Sequence, residues 1–324
     1  MSFRIPAILC ILIGLTAPPV WGEAARPVVF LPQWLPQAQF AGYYMAYEKG
    51  IYKRHGIDLT ILRGGPEQPP STLLTRGKAH FTTMFLSNAI ELRSRGVPLV
   101  NIGQIVQRSG FILVTRKASG IKSPTDLNGK KVSLWNEFSL QPKAFFRKYG
   151  VEVKTVPQGT TLNLFLRGGV SAASAMWYNE FHTLLNSGLD EEELVPFFFN
   201  QHDLNFPEDG IYCLEETYRQ DPDLACRFLR ASLEGWRYAF AYPEETLDVV
   251  MKYIREANVG SNRVHQKWML TRMNDLILPP GSRTEQGHLH PEDYLRVAGE
   301  LQRSGIIRTI PPYGAFYANC LGRP

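Results

Sequence analysis

Cysteine is scarce in this chain and carries no pattern. Four occur in 324 residues. Cys10 lies in an apolar leader, so Cys213, Cys226 and Cys320 are left, and an odd number cannot pair completely. No Cys-x-x-Cys spacing is present, which argues against a zinc site. One disulfide can form in an oxidising compartment, with partners that the sequence leaves open. Basic charge is not concentrated either. The formal net charge of +5 comes from Lys and Arg alternating with Asp and Glu along the expected helices. Nucleic acid needs a clustered basic face, and none is found. Gly-x-Ser-x-Gly elbows, phosphate loops, His-Glu-x-x-His, internal repeats and low-complexity tracts are all missing. His55, His80, His182, His202 and His265 are scattered singly. His288 and His290 alternate beside a Gly-Pro-rich loop and would need a third ligand to hold a metal. A solvated loop explains them better. No catalytic residue, metal or cofactor is expected.

What is present begins with a leader. Ser2-Phe3-Arg4 is a short positive start, Ile5 to Val20 is almost wholly apolar, and Gly22-Glu23-Ala24 offers small residues at the cleavage positions. This is the pattern of a secretory signal over 1–24, with the mature chain starting near Ala25 and exported to the periplasm. Cys10 lacks the small preceding residues of a lipoprotein site. No later stretch is apolar enough to span a bilayer. Hydrophobic residues at 44% and charged residues at 20% describe a globular chain, long enough for two domains.

Strands and helices alternate from the start. Pro27 to Leu31 reads as a strand and Pro32-Gln33-Trp34-Leu35-Pro36-Gln37 as a loop, forced by two prolines. Phe40 to Tyr52 reads as one helix and Ile57 to Ile61 as an alternating strand. Further units follow through Val106, and a turn-rich segment over Ser123 to Lys130 restarts the pattern. The alternation predicts parallel sheets covered on both faces. Beyond Asp221 the chain reads as helices, several opened by Asp-Pro, Tyr-Pro or His-Pro.

Four segments that follow strands share one composition. They contain Trp34, Gln39 and Tyr43; Met84 and Asn88; Trp135, Glu137 and Phe138; and Trp177, Tyr178 and Glu180. Ligands of open α/β sheets bind outside the carboxyl ends of strands, where these segments belong. Aromatic faces with a few amides and carboxylates suit a flat ligand with a polar edge. Any single aromatic here also serves as ordinary packing. Trp34, Trp135 and Trp177 are the expected stacking groups, and Glu180, or else Glu137, the expected edge group.

Pro36 to Tyr44, then Met45-Ala46-Tyr47-Glu48-Lys49-Gly50-Ile51-Tyr52 and Gly56-Ile57-Asp58-Leu59, resemble the opening of the NMT1/THI5-like family. Arg95-Gly96-Val97-Pro98-Leu99 and Leu127-Asn128-Gly129-Lys130-Lys131-Val132 resemble its next landmarks, in order. The resemblance implies a type II periplasmic-binding-protein fold, with two α/β lobes and a hinge. Lobe 1 would hold 25–114 and 210–324, and lobe 2 would hold 115–209, with Asp209 at the return crossing and in the site. It implies a monomeric solute-binding protein that captures a thiamine-pyrimidine precursor or similar aromatic nitrogen compound. Its partner would be the membrane permease of an ABC-type importer. A ligand sensor that signals to a membrane receptor is the alternative. The family's synthase branch carries a Lys and a His where this chain has Met84 and Asn88, so synthase activity is not expected. Gln39-Phe40 departs from the Asn-His of pyrimidine-binding members, which leaves the ligand open.

Overall fold

The computed structural model describes residues 25–279, 281 and 285–322. The leader expected over 1–24 lies outside them. The first run holds β1 (Arg26–Leu31), α1 (Ala41–Glu48), α2 (Ile51–Arg54), β2 (Ile57–Ile61), α3 (Pro70–Thr75), β3 (Phe81–Phe85), α4 (Leu86–Ser94) and β4 (Leu99–Gln104). A second run holds β5 (Phe111–Arg116), β6 (Lys131–Leu134), α5 (Leu140–Tyr149), β7 (Lys154–Pro157), α6 (Asn163–Leu166), β8 (Ala172–Met176), α7 (Glu180–Asn186) and β9 (Leu194–Phe198). The chain then returns through β10 (Asp209–Leu214) to α8 (Glu215–Gln220), α9 (Pro222–Ala241), α10 (Pro243–Glu256), α11 (Arg263–Ile277), α12 (Pro291–Arg303) and α13 (Tyr313–Phe316).

Local chemistry explains most boundaries. In β2, Ile57 and Leu59 are buried while Asp58 and Thr60 face solvent, the period-2 pattern of a half-covered strand. The helix expected over 40–52 is split in two, because Gly50 adopts a left-handed φ of 65°. Asp221 caps α9 by accepting from the Leu224 N–H at 2.9 Å, with Pro222 in the first turn. Gly42 and Gly235 let α1 and α9 touch. A Cβ on Gly42 would sit 2.3 Å from the Trp236 ring, and one on Gly235 would sit 2.2 Å from the Gly42 carbonyl.

Two five-stranded sheets result, ordered β2-β1-β3-β10-β4 and β7-β6-β8-β5-β9. They correct the expectation of parallel sheets. β10 runs antiparallel to β3 and β4, and β5 runs antiparallel to β8 and β9. The reason is topological. Each antiparallel strand is the one that arrives from the other lobe, so it enters its sheet from the opposite end. The two passages lie at 105–110 and 199–208. The first falls a few residues ahead of the boundary expected at 114/115, because β5 pairs along its whole length with β8 and β9.

Under the first sheet, Phe30, Tyr43, Tyr52, Phe81, Phe228 and Trp236 are fully buried. Phe81 and Phe228 stack at 4.4 Å. A smaller cluster, including Val114, Phe165, Phe181 and Leu184, fills the outer side of the second sheet. Cys226 on α9 bonds to Cys320, tying the C-terminal segment to the first lobe, and Cys213 is a buried free thiol.

Candidate functional site

The carboxyl ends of β3, β6 and β8 and the amino ends of β5 and β10 meet where the two sheets face each other. Between them lies a cleft lined by Phe85, Ser87, Phe111, Glu137, Phe138, Leu140, Gln141, Phe206, Pro207 and Glu208. It encloses about 30 Å³, room for a single water, so a ring fits only with the lobes further apart. A larger surface groove of about 470 Å³ lies between Arg116–Ala118 and Asp190–Glu193, away from these strand ends.

The walls are aromatic. Phe85 from the first lobe meets Phe138 from the second at 5.1 Å. Trp135 stands behind them, 6.3 Å from Phe138 and 5.6 Å from Phe111, with its Nε1–H donated to the Gly159 carbonyl at 3.1 Å. The floor is the hinge. Its two passages are laced by amide side chains: Asn205 to Ser109 and Gln107, Asn200 to Ser109, and Gln104 to the Glu208 carbonyl.

Two adjacent carboxyls end this floor. Glu208 is 3% exposed and Asp209 is 2% exposed. Glu208 Oε1 accepts from the Gly110 N–H at 2.6 Å and from Ser109 Oγ at 3.3 Å. Asp209 accepts from the Gln39 amide at 2.8 Å and from the Gln33 amide. Burial, then the Asp209 charge, pushes the Glu208 carboxyl up to about 8, against the pull of its hydrogen bonds. Burial likewise raises Asp209 to about 7, with Gln39 opposing. Tyr178, buried beside them, has its hydroxyl pushed well up by burial and by Glu208, Asp209 and Glu180.

The twelve expected residues do not all converge. Glu137 and Phe138 line the cleft, Trp135 backs it, and Gln39, Asp209 and Tyr178 surround its acidic floor. Met84 is buried in β3 opposite Gly210, and Asn88 lies half-buried on α4. Tyr43 packs in the first-lobe core, 4.8 Å from Phe30, rather than opening to the cleft. Trp34 is 36% exposed on its loop. Trp177 is taken up by packing, 5.3 Å from Phe198 of its own lobe and under the Arg272 guanidinium of the first lobe at 4.5 Å. Although Glu180 as a residue is half-buried, its carboxylate is turned inward. Its oxygens accept from the Met176 N–H at 2.9 Å and the Asn179 amide at 2.8 Å, which leaves it bracing the start of α7. Burial raises its pKa. Glu208 was not singled out from the sequence. A proline followed by two acids at the return crossing was the one available signal.

Among the described residues, no group of three or more His, Cys, Asp or Glu stands in metal-binding proximity. His290 caps α12 through Glu292 N–H at 3.3 Å, and buried His288 lies 3.4 Å from the Tyr317 hydroxyl. Both have structural work. No described helix is long and apolar enough to cross a membrane.

A family model described as NMT1/THI5 like matches residues 37–246. The chain belongs to the NMT1/THI5-like family. A riboflavin-binding protein, RibY, from Chloroflexus aurantiacus is 26% identical over 293 residues, covering 85% of this chain and 82% of the relative. A formylaminopyrimidine-binding protein from Halalkalibacterium halodurans is 24% identical, covering 73% of each. The periplasmic aliphatic sulphonate-binding protein SsuA of Escherichia coli superposes with a TM-score of 0.68 at 13% identity, covering 89% of this chain and 91% of that one. The shared fold is that of periplasmic binding proteins, two α/β lobes around a cleft. This NMT1/THI5-like chain keeps that cleft at the ends of both sheets, with aromatic walls and an acidic floor.

Proposed function

We propose that the protein captures a small aromatic nitrogen-containing nutrient, such as a thiamine pyrimidine precursor, between its two lobes outside the cytoplasm. As a monomer it then presents the closed form to the membrane permease of an ABC-type importer. The observation that carries this reading is the cleft itself, with facing aromatics from both lobes above a hinge-borne carboxyl. Flat rings stack on rigid aromatic faces at little entropic cost. Two relatives named for riboflavin and for formylaminopyrimidine, both flat nitrogen heterocycles, support the same solute class. Of the residues expected to bind, Phe138, Trp135 and Glu137 are the proposed wall, and Gln39, Tyr178 and Asp209 the proposed support of the floor. Met84 sits where the synthase branch holds a Lys, and a buried thioether supplies no amine for that chemistry.

Two lobes joined by two short passages close by a hinge. Mass spectrometry of small molecules released from the purified protein, followed by small-angle scattering with that molecule added back, tests the reading. A bound nitrogen heterocycle and a smaller radius of gyration are expected. Absence of any bound or binding small molecule would overturn it.

A further inference from the structure

We propose that Glu208 reads the polar edge of the ligand, and that the ligand offers it N–H donors on a neutral or cationic ring rather than an anionic group. This rests on the binding-protein reading and adds the chemistry of the solute. Glu208 is nine-tenths buried yet lines the cleft. The bonds from the Gly110 N–H and the Ser109 hydroxyl both fall on Oε1, and the Tyr178 hydroxyl is the other group set against the carboxyl, so a donor reaching Oε2 from the cleft competes only with it. Glu137 across the opening is a second carboxylate, and no Lys, Arg or His is among the described lining residues. An anion placed there would face two carboxyls with no counter-charge, whereas an amino or ring N–H edge meets the carboxyl oxygens of Glu208 and Glu137. The fold alone, shared with a sulphonate binder, does not decide this. The lining does.

The same geometry couples binding to a proton. The titratable groups around Glu208 are Asp209 on its own segment with Tyr43 behind it, Tyr178 and then Glu180 from the turn after β8, and Glu137 opposite. Arg108, on the neighbouring passage, is exposed. Burial and then the Asp209 charge outweigh the Gly110, Ser109 and Tyr178 hydrogen bonds, so in this closed form the carboxyl holds a proton at neutral pH. A donor at Oε2 favours the carboxylate. As the N–H···O bond forms, the Glu208 O–H bond breaks and its proton passes to the buffer.

The test uses the full chain, at pH 7, with an aminopyrimidine, riboflavin and a short alkanesulfonate as calorimetric probes, each titrated in two buffers of different ionisation heat. Any molecule released from the purified protein joins them as a fourth probe. A ring probe should bind with proton release, and the alkanesulfonate should not bind. Glu208→Gln, checked by a thermal melt, should weaken ring binding roughly tenfold to hundredfold and abolish the buffer-dependent heat. Should the variant not fold, the buffer dependence of the wild type decides. Wild-type affinity in a folded variant, buffer-independent heat in the wild type, or binding of the alkanesulfonate alone overturns this inference and leaves the binding-protein reading standing. A wild type that binds no probe and releases no molecule overturns both.

Discussion

Two of the places where the lobes meet treat protons in opposite ways. On the cleft floor, Glu208 and Asp209 are buried acids that prefer to be protonated. On the flank, α11 of the first lobe meets α7 of the second through His265 and His182, whose Nδ1 atoms are 3.0 Å apart. His265 Nε2 also bonds Asn179 Oδ1 at 2.8 Å, and Asn179 in turn holds Glu180. Trp268 stacks on His182 at 5.0 Å and donates its Nε1–H to the Trp177 carbonyl at 2.9 Å. Burial and the neighbouring His182 push His265 down to about 4, so this contact prefers neutral imidazoles. The floor is therefore least costly in acid and the flank least costly in base. One burial penalty produces both, because desolvation always disfavours the charged form, which is the deprotonated acid but the protonated base.

The largest effect should appear on the alkaline side. The folded state binds more protons than the unfolded one at Glu208 and Asp209 between the ordinary carboxylate range and about pH 8. Their contribution is then complete below the unfolded pKa and is lost as pH rises through the folded values. Exposed acids such as Glu244, held low by Arg263 and Lys267, act in the other direction, so the difference between two proteins is the measure. Relative to wild type, Glu208→Gln should gain stability progressively as pH rises from about 5 toward 8. The gain should approach about 1.4 kcal/mol for each pH unit crossed, the slope set by one proton that only the folded state holds. Equal pH profiles in urea unfolding would remove the floor from this comparison.

Next in size is the flank itself. Trp268→Ala deletes the stack on His182 and the bond to Trp177, and should cost roughly 2–3 kcal/mol, below the range for a fully buried Trp. Scattering should also show a larger radius before ligand is added. An unchanged radius with the expected loss of stability would make the contact a packing feature and not a closure contact.

His265→Asn should act on the acid side alone. The depressed folded pKa means that stability from this group is present above the unfolded value and is lost as pH falls from about 6.5 toward 4. The variant should therefore melt with a flatter profile over that window and match wild type in slope near pH 8. Parallel acid limbs for the two proteins would dismiss the histidine pair. The smallest effect belongs to the wall. Phe138→Ala should weaken a ring ligand by about 1 kcal/mol while leaving the melt nearly unchanged, since Phe138 is only half-buried. Calorimetry with any ring that binds wild type is the check.

Part of the cleft wall was legible because its neighbourhood is local. Trp135, Glu137 and Phe138 follow β6 directly, and strand ends in α/β sheets point to ligands whatever the sheet order. The three-tryptophan pocket was not legible as it stands. Trp177 has the right position after β8, yet α11, some ninety residues later, brings Arg272 and Trp268 onto it. Glu180 looked free for a ligand, but its own turn supplies the Met176 and Asn179 donors that occupy it.

By itself the sequence determined the family, the two α/β units, the capped helices after Asp221 and the aromatic segments at strand ends. Each depends on short-range periodicity, turn chemistry or an ordered set of local landmarks. Only the tertiary structure decided that β5 and β10 run antiparallel, that Cys226 pairs with Cys320, and that Glu208 is a buried carboxyl facing the cleft. Those facts depend on which segments the chain returns to after a hundred residues or so, and no local pattern encodes that return. Burial, which turns an ordinary glutamate into a proton-holding group, exists only once the two passages pack against each other.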